Sequence, residues 1–126
     1  MKLISWNVNG IRAANKKGFL QWLEETDPDI VCLQETKAHV EQLPKELLEG
    51  HGYYTYWHSG VKKGYSGVAT YCKEEALYVQ EGLGIDKFDC EGRVLITEHP
   101  KFLLYNIYFP NGQRDHGRLQ YKLDFY

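Results

Sequence analysis

Trp6-Asn7-Val8-Asn9-Gly10-Ile11-Arg12 stands where an apolar run gives way to polar groups, and Leu33-Gln34-Glu35-Thr36-Lys37 repeats the transition. Residues 1–8 read as a buried strand and residues 29–34 as a second, apolar on both faces and therefore central. Open α/β sheets carry their chemistry in the crevice beyond the carboxyl ends of such strands. If the two strands are neighbours, Asn7, Asn9 and Glu35 converge on one small volume. A single carboxylate with two amides, and no clustered His or Cys, suits a hard cation such as Mg²⁺ bound through oxygen.

The rest of the chain reads as alternating elements of one domain of 126 residues. Phe19, Leu20, Trp22 and Leu23 recur at helical spacing until Asp27-Pro28 stops them. Residues 41–49 form a short helix with Pro44 in its first turns. Residues 53–58, 67–72, 77–80, 93–98 and 103–109 have strand character. Gly60, Gly64 and Gly67 punctuate a loop that holds Lys62, Lys63, Tyr65 and Ser66. A last helix begins near Asp115, with Leu119, Leu123 and Tyr126 on one face. It ends at Tyr126 without a stop signal, so the sequence reads as cut.

Composition narrows the classes. The apolar fraction of 43% and charged fraction of 25% are those of a globular protein. No apolar run approaches the roughly 20 residues of a membrane span, and no export leader precedes the first strand, so a cytoplasmic, nucleoid-associated protein without membrane contact is expected. Cys32, Cys72 and Cys90 are odd in number and far apart, which fits neither a disulfide ladder nor a zinc knuckle. A net charge of −2 argues against gripping nucleic acid by bulk charge alone. Arg12, Lys16, Lys17, Lys37, Lys62, Lys63, Arg114 and Arg118, however, all fall in or beside the connections that follow strands. They are either merely solvated or gathered for a polyanion.

Five segments carry a resemblance. Ser5-Trp6-Asn7-Val8-Asn9-Gly10-Ile11-Arg12-Ala13 is similar to the opening motif of exonuclease III-type apurinic/apyrimidinic (AP) endonucleases, and residues 29–37 resemble their second. Gly64-Tyr65-Ser66-Gly67-Val68, Glu91-Gly92-Arg93-Val94 and Tyr108-Phe109-Pro110-Asn111-Gly112 resemble three more, in matching order and rough spacing. The resemblance implies an endonuclease/exonuclease/phosphatase fold, a four-layer α/β sandwich of two packed sheets with helices outside. Family members run to about twice this length. The chain is therefore expected to supply the N-terminal half, one mixed β-sheet with helices on its outer face. The later family motifs, Gly-Asp-x-Asn and Ser-Asp-His, have no counterpart here.

By that resemblance the chain belongs to a DNA repair nuclease acting on double-stranded DNA with abasic sites, cutting there as an AP endonuclease and trimming 3′ ends as an exodeoxyribonuclease. The cofactor implied is Mg²⁺, with Mn²⁺ as a substitute. Glu35 would be the metal ligand, with Asn7 and Asn9 beside it; some relatives have Asp at the position of Asn9, and an amide oxygen holds Mg²⁺ less firmly. Tyr108, Asn7 and Asn111 would form the catalytic set, the phenol and the Asn111 amide hydrogen-bonding the scissile phosphate. Arg12, Lys37, Tyr65 and Arg114 would contact the DNA backbone, which positions without specifying. Plainer readings stay open: Glu35 as a loop cap, Asn9 as the turn before Gly10, Asn111-Gly112 as a tight turn. Without the proton-handling motifs the chain alone is expected to be inactive. A bare sheet face then calls for the missing half or for a second copy in a homodimer. The rival functions are a lipid-directed phosphodiesterase of the same superfamily and a non-catalytic DNA- or protein-binding module.

Overall fold

The computed structural model describes residues 1–49, 51–110 and 123–125. Asn111, Arg114 and the greater part of the helix expected from Asp115 lie outside the described residues. The elements run β1 (Leu3–Asn7), α1 (Ile11–Lys16), α2 (Phe19–Thr26), β2 (Ile30–Gln34), a 3₁₀ turn (Val40–Gln42), α3 (Lys45–Glu49), β3 (Tyr54–His58), β4 (Val68–Cys72), β5 (Tyr78–Glu81), α4 (Asp86–Asp89), β6 (Val94–His99) and β7 (Phe102–Ile107). The helical stretch before Asp27 is two helices, parted by Gly18 in the left-handed region at φ 100°. Pro44 precedes α3 rather than sitting within it.

Four strands form a mixed sheet in the order β1-β2-β4-β3. β1 and β2 are parallel, with Asn7 opposite Gln34, and the crossover between them runs through α1 and α2. β2 is central, as its sequence requires, with Ile30, Val31, Cys32 and Leu33 all buried. β1, expected to be buried, is an edge strand with Leu3 and Trp6 exposed, because nothing among the described residues pairs with its outer side.

The expected mixed sheet with helices outside is present, but it is not alone. Strands β5, β6 and β7 pair antiparallel as a second, three-stranded sheet packed on the first. The reason is legible in β2, whose alternate residues feed two different cores. Val31 and Leu33 join Ile11, Phe19, Leu20, Leu23 and Leu47 on the helix side. Ile30 and Cys32 join Cys72 on the other face, against Phe102 and Leu104 of β7. Because the second sheet covers that inner face, the patch that called for a homodimer is largely filled from within the chain. Asn106 of β7 is buried between the sheets, its amide donating to the carbonyls of Ala69 (2.8 Å) and Leu33 (3.3 Å) and to the Thr70 hydroxyl (3.2 Å).

No helix of the described residues is long and apolar enough to cross a membrane. Cys32, Cys72 and Cys90 are free thiols.

Candidate functional site

Three of the five motif segments are stitched together by backbone hydrogen bonds beyond the tips of β1 and β2. Gly10 N–H donates to the Glu35 carbonyl at 2.7 Å and Ile11 N–H to that of Thr36 at 2.9 Å. In turn Thr36 N–H donates to Gly67 O at 3.1 Å, and Lys37 N–H to Ser66 O at 2.8 Å. The chain pays for this stitching in backbone strain: Asn9, Glu35, Lys37 and Ser66 all hold positive φ, between 49° and 58°. Gly67, at φ 93°, passes so close to Thr36 that a Cβ would strike its hydroxyl.

This frame aims a set of side chains at one carboxylate. Glu35 Oε1 accepts from the Tyr108 hydroxyl at 2.8 Å and from the Asn7 amide at 3.2 Å. Lys37 Nζ lies 3.5 Å from Glu35 Oε2 and donates to Asn9 Oδ1 at 2.6 Å. Asn7 Oδ1 accepts from Asn9 N–H at 3.0 Å. Partial burial on its own would raise the carboxyl's pKa. The bonds from Tyr108 and Asn7 and the charge of Lys37 outweigh it and hold Glu35 below the ordinary glutamate value. Tyr108 moves the other way: burial first, then its bond to Glu35 and that charge, push its phenol up to about 12. At neutral pH the pair is therefore a carboxylate and a phenol that donates to it.

Asn7, Asn9, Glu35, Lys37 and Tyr108 thus lie in one cluster. Asn9 occupies the left-handed turn before Gly10, and its amide oxygen is engaged by Lys37. Arg12 reaches the cluster's rim, donating from NH2 to the Lys37 carbonyl at 3.2 Å. The Tyr65 hydroxyl points inward, donating to Glu91 Oε1 at 3.2 Å and accepting from Arg93 NH2 at 3.1 Å. Asn111 and Arg114 lie outside the described residues. Arg93 is a site residue that the sequence motifs do not mark by role; a charged residue opening a buried strand is the signal that reveals it. Nor do those motifs mark the role of Gln34, whose amide donates to Ser5 Oγ at 3.0 Å and Asn106 Oδ1 at 2.9 Å just beneath the cluster.

Among the described residues no three His, Cys, Asp or Glu side chains gather as an ion cage. One carboxylate kept anionic, with the Asn7 and Asn9 amides beside it, nevertheless fits a hard divalent cation that retains waters and takes further ligands from a phosphate. The cavity of about 380 Å³ that Met1, Asp29, Lys73, His99 and Phe102 help to line is elsewhere: Asp29 and Ile30 stand at the start of β2, away from Glu35.

The sequence matches the model of the Endonuclease/Exonuclease/phosphatase family over residues 4–126. It is 45% identical over 126 residues to an exodeoxyribonuclease of Bacillus subtilis, covering 99% of this chain and 49% of that protein. It is 48% identical over 124 residues to the DNA repair nuclease APEX1 of Danio rerio, covering 97% of this chain and 40% of that one. Among solved structures, an AP endonuclease from Archaeoglobus fulgidus superposes with a TM-score of 0.84 at 34% identity, covering 99% of this chain and 48% of its own. The chain spans about half the length of the curated relatives it matches.

Proposed function

Because this chain belongs to the Endonuclease/Exonuclease/phosphatase family, we propose that it carries the metal- and phosphate-binding half of a DNA repair nuclease. The reaction is hydrolysis of DNA phosphodiesters at abasic sites, with release of nucleotides from 3′ ends as the companion activity. One observation carries the reading: the Asn7 amide, at the end of β1, and the Tyr108 hydroxyl, just past the end of β7 in the other sheet, meet on the same oxygen of Glu35. Names of relatives support the substrate, since they include an exodeoxyribonuclease and a DNA-(apurinic or apyrimidinic site) endonuclease of Dictyostelium discoideum.

Glu35 and Asn7 would hold Mg²⁺, or Mn²⁺ in its place, and such an ion supplies neutralisation of phosphate charge and a more acidic bound water. Glu35 serves by staying anionic. Asn7 fixes the carboxylate's orientation through Nδ2. Tyr108, protonated throughout the physiological range, gives its one proton to Glu35 here, and would donate it to a phosphate oxygen once a cation takes up that carboxylate; Asn111, by the sequence motif, would add an amide to the same phosphate. Lys37 offers a cation at the mouth of the cluster, flanked by Arg12, and these two would meet the DNA backbone, with Tyr65 and, by the sequence motif alone, Arg114 as further contacts. Asn9 tethers Lys37, a role compatible with secondary contact to the metal.

The Gly-Asp-x-Asn and Ser-Asp-His motifs that handle protons in the family are not in these 126 residues, so this stretch by itself is inactive and acts together with residues that carry those motifs. A nicking assay on an abasic duplex with Mg²⁺ tests this. No cleavage by pure chain is expected, and cleavage on adding a polypeptide that carries the Gly-Asp-x-Asn and Ser-Asp-His motifs. Robust turnover by the chain alone would overturn the division of labour, and failure of both to bind abasic DNA would overturn the substrate.

A further inference from the structure

The motif Glu91-Gly92-Arg93-Val94 holds a charged side chain buried at the start of a strand. Arg93 opens into β6 with only 1% of its surface exposed. Its Nε and NH2 donate to Glu91 Oε1 at 3.0 and 2.8 Å, and NH1 donates to the Tyr108 carbonyl at 3.1 Å. NH2 also donates to the Tyr65 hydroxyl, and the guanidinium carbon lies 4.8 Å from the centre of the Tyr108 ring. The backbone adds a further tie, Tyr108 N–H to the Arg93 carbonyl at 2.9 Å.

A buried Arg–Glu pair is a poor device for stability alone, since desolvating both charges offsets most of their attraction. What this pair does with geometry is more specific. The planar guanidinium bonds the main chain of Tyr108 with one edge and lies against its ring. The other edge is fixed by Glu91 and by the Gly64–Gly67 loop through Tyr65. The phenol so held is the one that donates to Glu35. We infer that Arg93 is a positioning residue: it clamps Tyr108 at the angle that delivers the hydroxyl to Glu35, and it links that angle to the loop bearing Tyr65.

The consequence is a path from the loop to the carboxylate through three buried or half-buried groups. A lysine at 93 keeps the charge but loses both the fork and the flat face. The inference rests on the proposed function only for what Glu35 is used for; the clamp itself is a statement about Tyr108.

Solvent exchange of the Tyr108 hydroxyl proton, followed by NMR on the full chain and assigned by its disappearance in Y108F, tests it without any nuclease activity. Exchange is expected to be slow in the wild type and roughly tenfold or more faster in R93K, with the dispersed amide spectrum retained, because the phenol leaves its acceptor. E91A, which removes the acceptor that fixes the guanidinium, should accelerate it in the same direction, and it decides the matter alone if R93K does not fold. An unchanged, protected hydroxyl in the folded variants means Arg93 is structural only. A negative nicking assay with this exchange result intact would instead strike the functional reading and spare the clamp.

Discussion

Glu35 does its work as an anion, and its neighbours set the pH at which it stops being one. Its pKa is lower in the folded chain than in the unfolded one, so it adds stability above the ordinary glutamate range near 4.3 and loses it as pH falls through the lowered value. Tyr108→Phe removes one of the bonds responsible. The variant should therefore lose less stability than the wild type between pH 6 and pH 3.5, as read by urea denaturation at the two values. An identical loss in both chains would show that the phenol does not act on Glu35. The residues of this cluster are legible in the sequence because they end apolar runs, and Glu35 stands out on that ground together with its motif. Asn9 was less legible: nothing in the letters says that its amide oxygen faces Lys37, since that depends on the left-handed turn at its own position. Arg93 escaped assignment because its partners lie at positions 65, 91 and 108, separations that no local pattern reveals.

The elements that carry these side chains are held by a short exchange of backbone bonds, and Gly67 is its tightest point. Gly67→Ala places a side chain at φ 93° and against the Thr36 hydroxyl, two penalties in one position. A loss of roughly 1–3 kcal/mol in unfolding free energy is expected, with the Glu35–Lys37 turn displaced. Denaturant melts measure the first and amide shifts at residues 35–37 the second; a variant as stable as wild type with unmoved shifts would contradict the close approach. Strand and helix character was read well where alternation or helical spacing was strong, as in β2 and α2. It was read poorly at α1, whose six residues Ile11–Lys16 are too short and polar to show a period, and at α4 for the same reason. The edge position of β1 could not be read at all, because an apolar run looks the same whether or not a neighbour covers it.

Taken together, the chain is the expected half of a layered α/β sandwich, its mixed four-stranded sheet backed by helices, with a three-stranded antiparallel sheet of its own packed on the inner face. The alternation in β2 announced two covered faces, but which element covers the second is a question of chain return, decided by the β5–β7 hairpins. Asn106 is the polar pin at that junction, and it sits directly beneath Gln34 and the cluster. Asn106→Val removes the amide and leaves the Gln34 amide and two carbonyls short of a partner, at a cost of about 1–3 kcal/mol. Urea unfolding checks the figure; a neutral substitution would mean that the sheets do not depend on this contact near the site. Above the pin, everything functional depends on Asn7 and Glu35 facing one another across parallel strand tips. The direct measurement is Mn²⁺ relaxation enhancement in an NMR spectrum of the chain at substoichiometric ion. Signals of Asn7, Glu35 and Tyr108 should broaden first, recover on adding excess Mg²⁺, and stay sharp in E35Q. Broadening centred elsewhere, or unaltered by E35Q, would contradict a shared cation site at these tips.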